Sequence, residues 1–129
     1  MTARMKYAGA SLAAVVALVA VANAAGAKEI VVKMGSDTGQ LVFVPAKIDA
    51  APGDTIKWTM NKAGPHNAVF DAAKSADGAV AGGLSQKKLL SKPGDSYVST
   101  IPANAKKGTY DFNCVPHKSA GMKGTLTVK

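Results

Sequence analysis

Residues 110–122, YDFNCVPHKSAGM, constrain this chain more than any other stretch. Tyr110, Phe112 and Cys114 alternate with Asp111 and Asn113, so a strand with one inward face runs straight into the only cysteine. His117 follows after two residues and Met122 after four more, which packs a thiol, an imidazole and a thioether into one tight loop. The only other histidine, His66, lies upstream in Gly64-Pro65-His66-Asn67, and any fold that uses all four side chains must bring it to that loop. One thiolate, two imidazoles and a weak axial thioether are the donor set of a blue-copper electron-transfer site. Cys114, His117, His66 and Met122 are therefore the expected copper ligands, and the expected activity is one-electron carriage rather than catalysis. Asn67 is placed to hydrogen-bond across to the cysteine loop and fix the donors.

Two other readings of the cluster are weaker. Structural zinc takes cysteine and histidine but rarely methionine. A catalytic Cys–His pair needs an orienting third group and an oxyanion hole, and the chain offers no clear candidate for either.

The N-terminus reads as a secretory signal. Arg4 and Lys6 form a basic start, Ala8 to Val21 an apolar run, and Ala25-Gly26-Ala27 a small-residue cleavage site. The run is about 14 residues, short of the roughly 20 that span a bilayer, so no stable membrane insertion is expected after processing. Removal of residues 1–27 leaves one domain, residues 28–129. Ala22-Asn23-Ala24 fits the same rule, so cleavage after Ala24 stays open. A lone cysteine in an exported domain is unusual, since small secreted folds pair their thiols, and metal ligation would protect it from oxidation.

Losing Arg4 and Lys6 with the signal leaves lysine as the only basic side chain beyond histidine, still in excess over 8 acidic residues. Dispersed lysines, no arginine and few aromatic rings argue against nucleic-acid binding. The charge suits an acidic protein partner instead.

The rest of the chain reads as short strands. Glu29 to Met34 puts Ile30, Val32 and Met34 on one face, and Thr55 to Met60 does so with Ile56, Trp58 and Met60. Turns fall at 35–39, 52–54 and 92–95, with an edge strand expected over 46–50 and a short strand over 67–70. Residues 71–83 read as a surface excursion and 84–90 as one or two helical turns. Strands follow at 96–101, 108–114 and 125–129. The pattern is all-β, a sandwich or barrel.

Residues 28–129 resemble the plastocyanins throughout, on Gly39-Gln40-Leu41-Val42-Phe43-Val44-Pro45, Asn61 to Asn67 and Cys114 to Met122. The resemblance implies a Greek-key β-sandwich of the cupredoxin type, about eight strands, with copper at one end. It implies ligation of one copper ion, cycling between Cu(I) and Cu(II), by His66, Cys114, His117 and Met122. It implies a soluble monomer that carries electrons from cytochrome f of the cytochrome b6f complex to photosystem I in the thylakoid lumen. The family docks through an apolar patch around the exposed histidine. The matching positions are Gly39, Leu41, Ala63, Gly64, Pro65, Leu89, Pro116, Ser119 and Ala120, with Lys118 as the basic neighbour. The basic charge balance resembles cyanobacterial members. Asn113 stands where the family usually has a tyrosine, Ser119 where it has a glycine, and Lys123 where it has an apolar residue. A periplasmic pseudoazurin-like cupredoxin serving a respiratory or denitrification enzyme shares the ligand spacing and is the alternative.

Overall fold

The computed structural model describes residues 26–129. The expected signal segment lies outside the described residues as far as residue 25. Nine strands form two facing sheets: β1 (Glu29–Met34), β2 (Phe43–Val44), β3 (Lys47–Ala50), β4 (Thr55–Met60), β5 (His66–Ser75), β6 (Gln86–Leu90), β7 (Ser96–Thr100), β8 (Gly108–Asn113) and β9 (Lys123–Val128). One sheet runs β2-β1-β4-β7 and the other β3-β9-β8-β5-β6. β1 lies parallel to β4, from Glu29↔Thr55 to Met34↔Met60, and β3 lies parallel to β9. The remaining pairs are antiparallel. This is the all-β sandwich expected from the sequence, with one strand more than about eight.

Period-two alternation explains which residues meet between the sheets. Ile56, Trp58 and Met60 of β4 are buried, as are Tyr110 and Phe112 of β8 and Leu126 and Val128 of β9. Four rings lock the layers together. Phe112 packs on Trp58 and Phe43 with centroids 5.0 and 4.9 Å away, and Phe70 packs on Trp58 at 6.1 Å, all edge-on.

The segment between β5 and β7 departs from the sequence expectation. Strand β5 does not stop at Phe70 but continues to Ser75, with its register against β8 shifting between Phe70 and Ser75. A helix, α1 (Gly78–Leu84), occupies the expected surface excursion, and the expected helical turns are instead strand β6. The Asp77 carboxylate caps α1 by accepting from the N–H groups of Ala79 and Val80. Three glycines give this helix poor intrinsic propensity. Tertiary contacts hold it: Ala81 and Leu84 are buried, and the Ser85 hydroxyl donates to the Ala81 carbonyl while accepting from the Phe70 N–H. Strand β6 escaped the alternation rule because its buried residues, Gln86 and Leu90, flank three exposed ones.

Candidate metal centre

The site is built where four elements end together. β8 finishes at Asn113, and a 3-10 helix over Val115–Ala120 turns the chain back into β9. Backbone hydrogen bonds close this loop. The Cys114 N–H donates to the Met122 carbonyl, Met122 N–H to the His117 carbonyl, and His117 N–H to the Cys114 carbonyl, at 3.0, 3.2 and 3.2 Å. Gly121 ends the turn with φ of 86°, a left-handed conformation that a side chain would strain. Its N–H reaches the Lys118 carbonyl. Cys114, His117 and Met122 are thus fixed relative to one another by main chain alone.

His66 opens β5 on the same end of the sandwich. The turn before it is tight: Ala63 has φ of 58°, and a Cβ on Gly64 would press 2.4 Å from the Met60 Cε. The His66 Nε2 lies 2.7 Å from the Lys62 carbonyl. A carbonyl only accepts, so Nε2 carries the proton and Nδ1 keeps its lone pair. That Nδ1 is 3.6 Å from the Cys114 Sγ, and the His117 Nδ1 approaches the same sulfur at 3.5 Å. Burial holds the His66 ring below its ordinary imidazole range and the nearby His117 adds to this, while the Lys62 hydrogen bond opposes it. A neutral ring with its lone pair turned to a thiol is the form a metal requires.

The donor atoms of His66, Cys114 and His117 all lie within 4.8 Å of one another. Donors about 2.0–2.3 Å from a shared ion, at tetrahedral to trigonal angles, stand roughly 3.5–3.8 Å apart. The two sulfur–nitrogen distances match that spacing, so the residues fit a soft or borderline ion. Cys114, His66 and Met122 are fully buried, whereas His117 is only half-buried.

Asn67 ties the two halves of the site together. It is 4 % exposed. Its Oδ1 accepts from the Val115 N–H at 2.9 Å, immediately after Cys114, and its Nδ2 donates to the Lys87 carbonyl on β6 at 3.0 Å. Met34 and Met60 are buried in the core, leaving Met122 as the methionine in the ligand loop. Nothing in the sequence marks the Lys62 carbonyl, whose role depends wholly on the turn before His66.

Around the half-buried His117, Pro116, Lys118, Ser119 and Ala120 of the loop are exposed. Ala63 and Gly64 are exposed beside His66, with Pro65 half-buried. Leu89 is 45 % exposed next to Leu90, which pairs with His66. Gly39 is exposed and Leu41 half-buried in the loop after β1, at the same end as Met60. Beside this end, Asn113 and Lys118 line an open cleft of about 480 Å³, together with Lys47, Lys74, Lys123, Asp71 and Asp111. Lysine outnumbers aspartate in that lining, so its rim is positive.

Over residues 30–129 the chain matches the family described as copper binding proteins, plastocyanin/azurin family. It is 49 % identical over 107 residues to plastocyanin of Nostoc punctiforme, covering 81 % of this chain and 77 % of that protein. It is 43 % identical over 101 residues to plastocyanin of Scenedesmus fuscus, covering 78 % of this chain and 100 % of that one. Among solved structures, oxidised plastocyanin from the fern Dryopteris crassirhizoma superposes with a TM-score of 0.65 at 39 % identity, over 77 % of this chain and 99 % of that one. Pseudoazurin from Methylobacterium extorquens is more distant, with a TM-score of 0.51 at 28 % identity, over 78 % of this chain and 74 % of that one. The converged thiol and imidazoles, the two-sheet frame and these relatives agree: the chain belongs to the plastocyanin/azurin family of copper-binding proteins.

Proposed function

We propose that this chain, a type 1 copper electron carrier, takes single electrons from cytochrome f and delivers them to photosystem I on the lumenal side of a thylakoid membrane, after export and removal of residues 1–27. In this reading His66, Cys114, His117 and Met122 hold the ion, and copper supplies a one-electron couple between Cu(I) and Cu(II). The observation that carries the reading is the pair of Nδ1 atoms at 3.5 and 3.6 Å from one buried sulfur.

The protein's own contribution is rigidity and access. Main-chain hydrogen bonds fix the Cys114–Met122 loop, and Asn67 fixes it to β5 and β6, so the donors need little rearrangement when charge changes. Burial on three sides excludes water. The half-buried His117 leaves one edge of the site near the surface, which makes it the exit for the electron. Gly39, Leu41, Ala63, Gly64, Pro65, Leu89, Pro116, Ser119 and Ala120 then form the small, mostly apolar face that lets a partner approach that edge.

Lys118 and the other lysines of the neighbouring cleft steer an acidic partner, because complementary charge raises encounter rates and salt screens it over about 8–10 Å. Flash kinetics of photosystem I reduction test this. Lys118→Glu should slow association most at low salt and flatten the salt slope, with the blue spectrum unchanged. Leu41→Glu should slow transfer at every ionic strength. If neither variant changes the rates, photosystem I is not the partner that this face serves.

A further inference from the structure

Asp54 is 1 % exposed although it sits in the turn between β3 and β4. Its Oδ2 accepts from the Ala51 N–H at 2.9 Å and its Oδ1 from the Lys28 N–H at 3.0 Å. Among the described residues the ion pairs are Lys33–Asp37 and Lys129–Asp49, both exposed, and neither involves Asp54. Both oxygens of this buried carboxylate are hydrogen-bonded, but to neutral amides, so it has no counter-ion among the described residues. The surrounding main chain is nonetheless well fixed. The Asp54 carbonyl accepts from Ile101 N–H, and the Lys28 carbonyl accepts from Thr55 N–H, both at 2.9 Å. Lys28 is therefore held through its nitrogen and its oxygen at the start of β1, while Gly26, Ala27 and Lys28 are all exposed.

The nitrogen held by Asp54 is the one that follows the small-residue site Ala25-Gly26-Ala27. We infer that cleavage between Ala27 and Lys28 completes the fold, because it turns the Lys28 amide into an α-ammonium that forms an ion pair with Asp54. A leader endopeptidase hydrolyses the Ala27–Lys28 peptide bond. Water supplies the hydroxyl of the new Ala27 carboxyl group and a proton to the Lys28 nitrogen, and a further proton from solvent charges that amine at neutral pH. Asp54 then receives the cation that no side chain among the described residues provides. A hydrogen bond to a charged group is stronger than one between neutral groups. Cleavage after Ala24 would leave the Lys28 nitrogen as an amide and the carboxylate without its counter-ion. The inference rests on the export reading and is independent of the copper ligands and of the partner.

N-terminal sequencing of the exported, copper-loaded protein should begin at Lys28, and a chain beginning at Ala25 overturns the inference. Denaturant unfolding of copper-loaded chains beginning at Lys28 and at Ala25, each with Asp54 and with Asp54→Asn, then isolates the pair. With Asp54 the Lys28 chain should have a folding constant about tenfold larger, and with Asp54→Asn the two should agree. Equal stability with Asp54, or a difference that survives Asp54→Asn, contradicts the pair. Should Asp54→Asn fail to fold, acetylating the α-amine of the Lys28 chain gives the same information. Acetylation should lower the folding constant about tenfold, and no loss on acetylation overturns the inference. Electron-transfer rates stay out of this test, so its failure leaves the proposed function untouched.

Discussion

At the end of the sandwich where β4 stops and β5 starts, a thiol and two imidazole nitrogens face one another, and only the Nε2 of His66 is committed to the backbone. At the opposite end and along the inner face near it, polar groups are used up by the fold. Both oxygens of Asp54 are taken, the Tyr110 hydroxyl donates to the Lys106 carbonyl, and Trp58 Nε1 donates to Ser99, which donates on to the Leu84 carbonyl. The same sheets serve both ends. One end spends its polar groups on hydrogen bonds within the fold, whereas the other directs a thiol and two imidazole nitrogens at a shared point. A thiol and two imidazoles converged in this way bind an ion that the unfolded chain holds less well, so the ion adds its stability at this end.

The largest effect that would sharpen this contrast is removal of copper. An ion bound only by the native state stabilises it by about 4 kcal/mol when present at a thousandfold its dissociation constant. Chelation should therefore lower the unfolding midpoint, and amide exchange should speed up across residues 114–122 well before it does at Thr55 and Ile101. Uniform acceleration along the chain would mean that the two ends are not energetically distinct.

Next comes Asn67→Ala, which strips the Val115 N–H and the Lys87 carbonyl of their partner. Leaving these part-buried groups unpaired should remove roughly 1–2 kcal/mol. It should also weaken copper retention, measured by competition with a chelator. A stability loss with copper affinity unchanged would show that Asn67 braces the sandwich but not the donors.

The smallest effect belongs to the far end. Tyr110→Phe should lose about 1 kcal/mol near neutral pH with no change in the copper spectrum. Burial, with the Asp77 carboxylate adding to it, raises the Tyr110 phenol above its ordinary 10.0. The native state thus keeps a proton that the unfolded chain releases, so this part of the stability is complete below about pH 10 and is lost as pH climbs toward the folded value. Denaturation series from pH 9 upward should therefore be flatter for Tyr110→Phe than for the unmodified protein.

How much of this was legible in the sequence differs by region in the same way. Strands β1, β4 and β8 alternate cleanly because each has one face on the aromatic layer, so Trp58 and Phe112 could be placed inward by period alone. The ligand loop was legible because its donors are chemically rare and close in sequence. Helix α1 and strand β6 were not. Gly82 and Gly83 argue against a helix, and the capping by Asp77 and the bonds of Ser85 to Ala81 and Phe70 are visible only once β5 lies alongside. Asp54 reads in the sequence as an ordinary turn residue, since Pro52-Gly53-Asp54 says nothing of the Lys28 nitrogen that arrives from elsewhere in the chain.

The central claim, that one thiolate between two imidazoles holds copper in a redox-active site, is tested most directly by the visible absorption spectrum of copper-loaded protein beside Cys114→Ser. The unmodified protein should show an intense blue thiolate-to-copper charge-transfer band that bleaches on one-electron reduction. Cys114→Ser should lack the band while its far-ultraviolet circular dichroism still reports the β-sandwich. A blue band that survives in Cys114→Ser, or a colourless copper-loaded parent, would contradict the account.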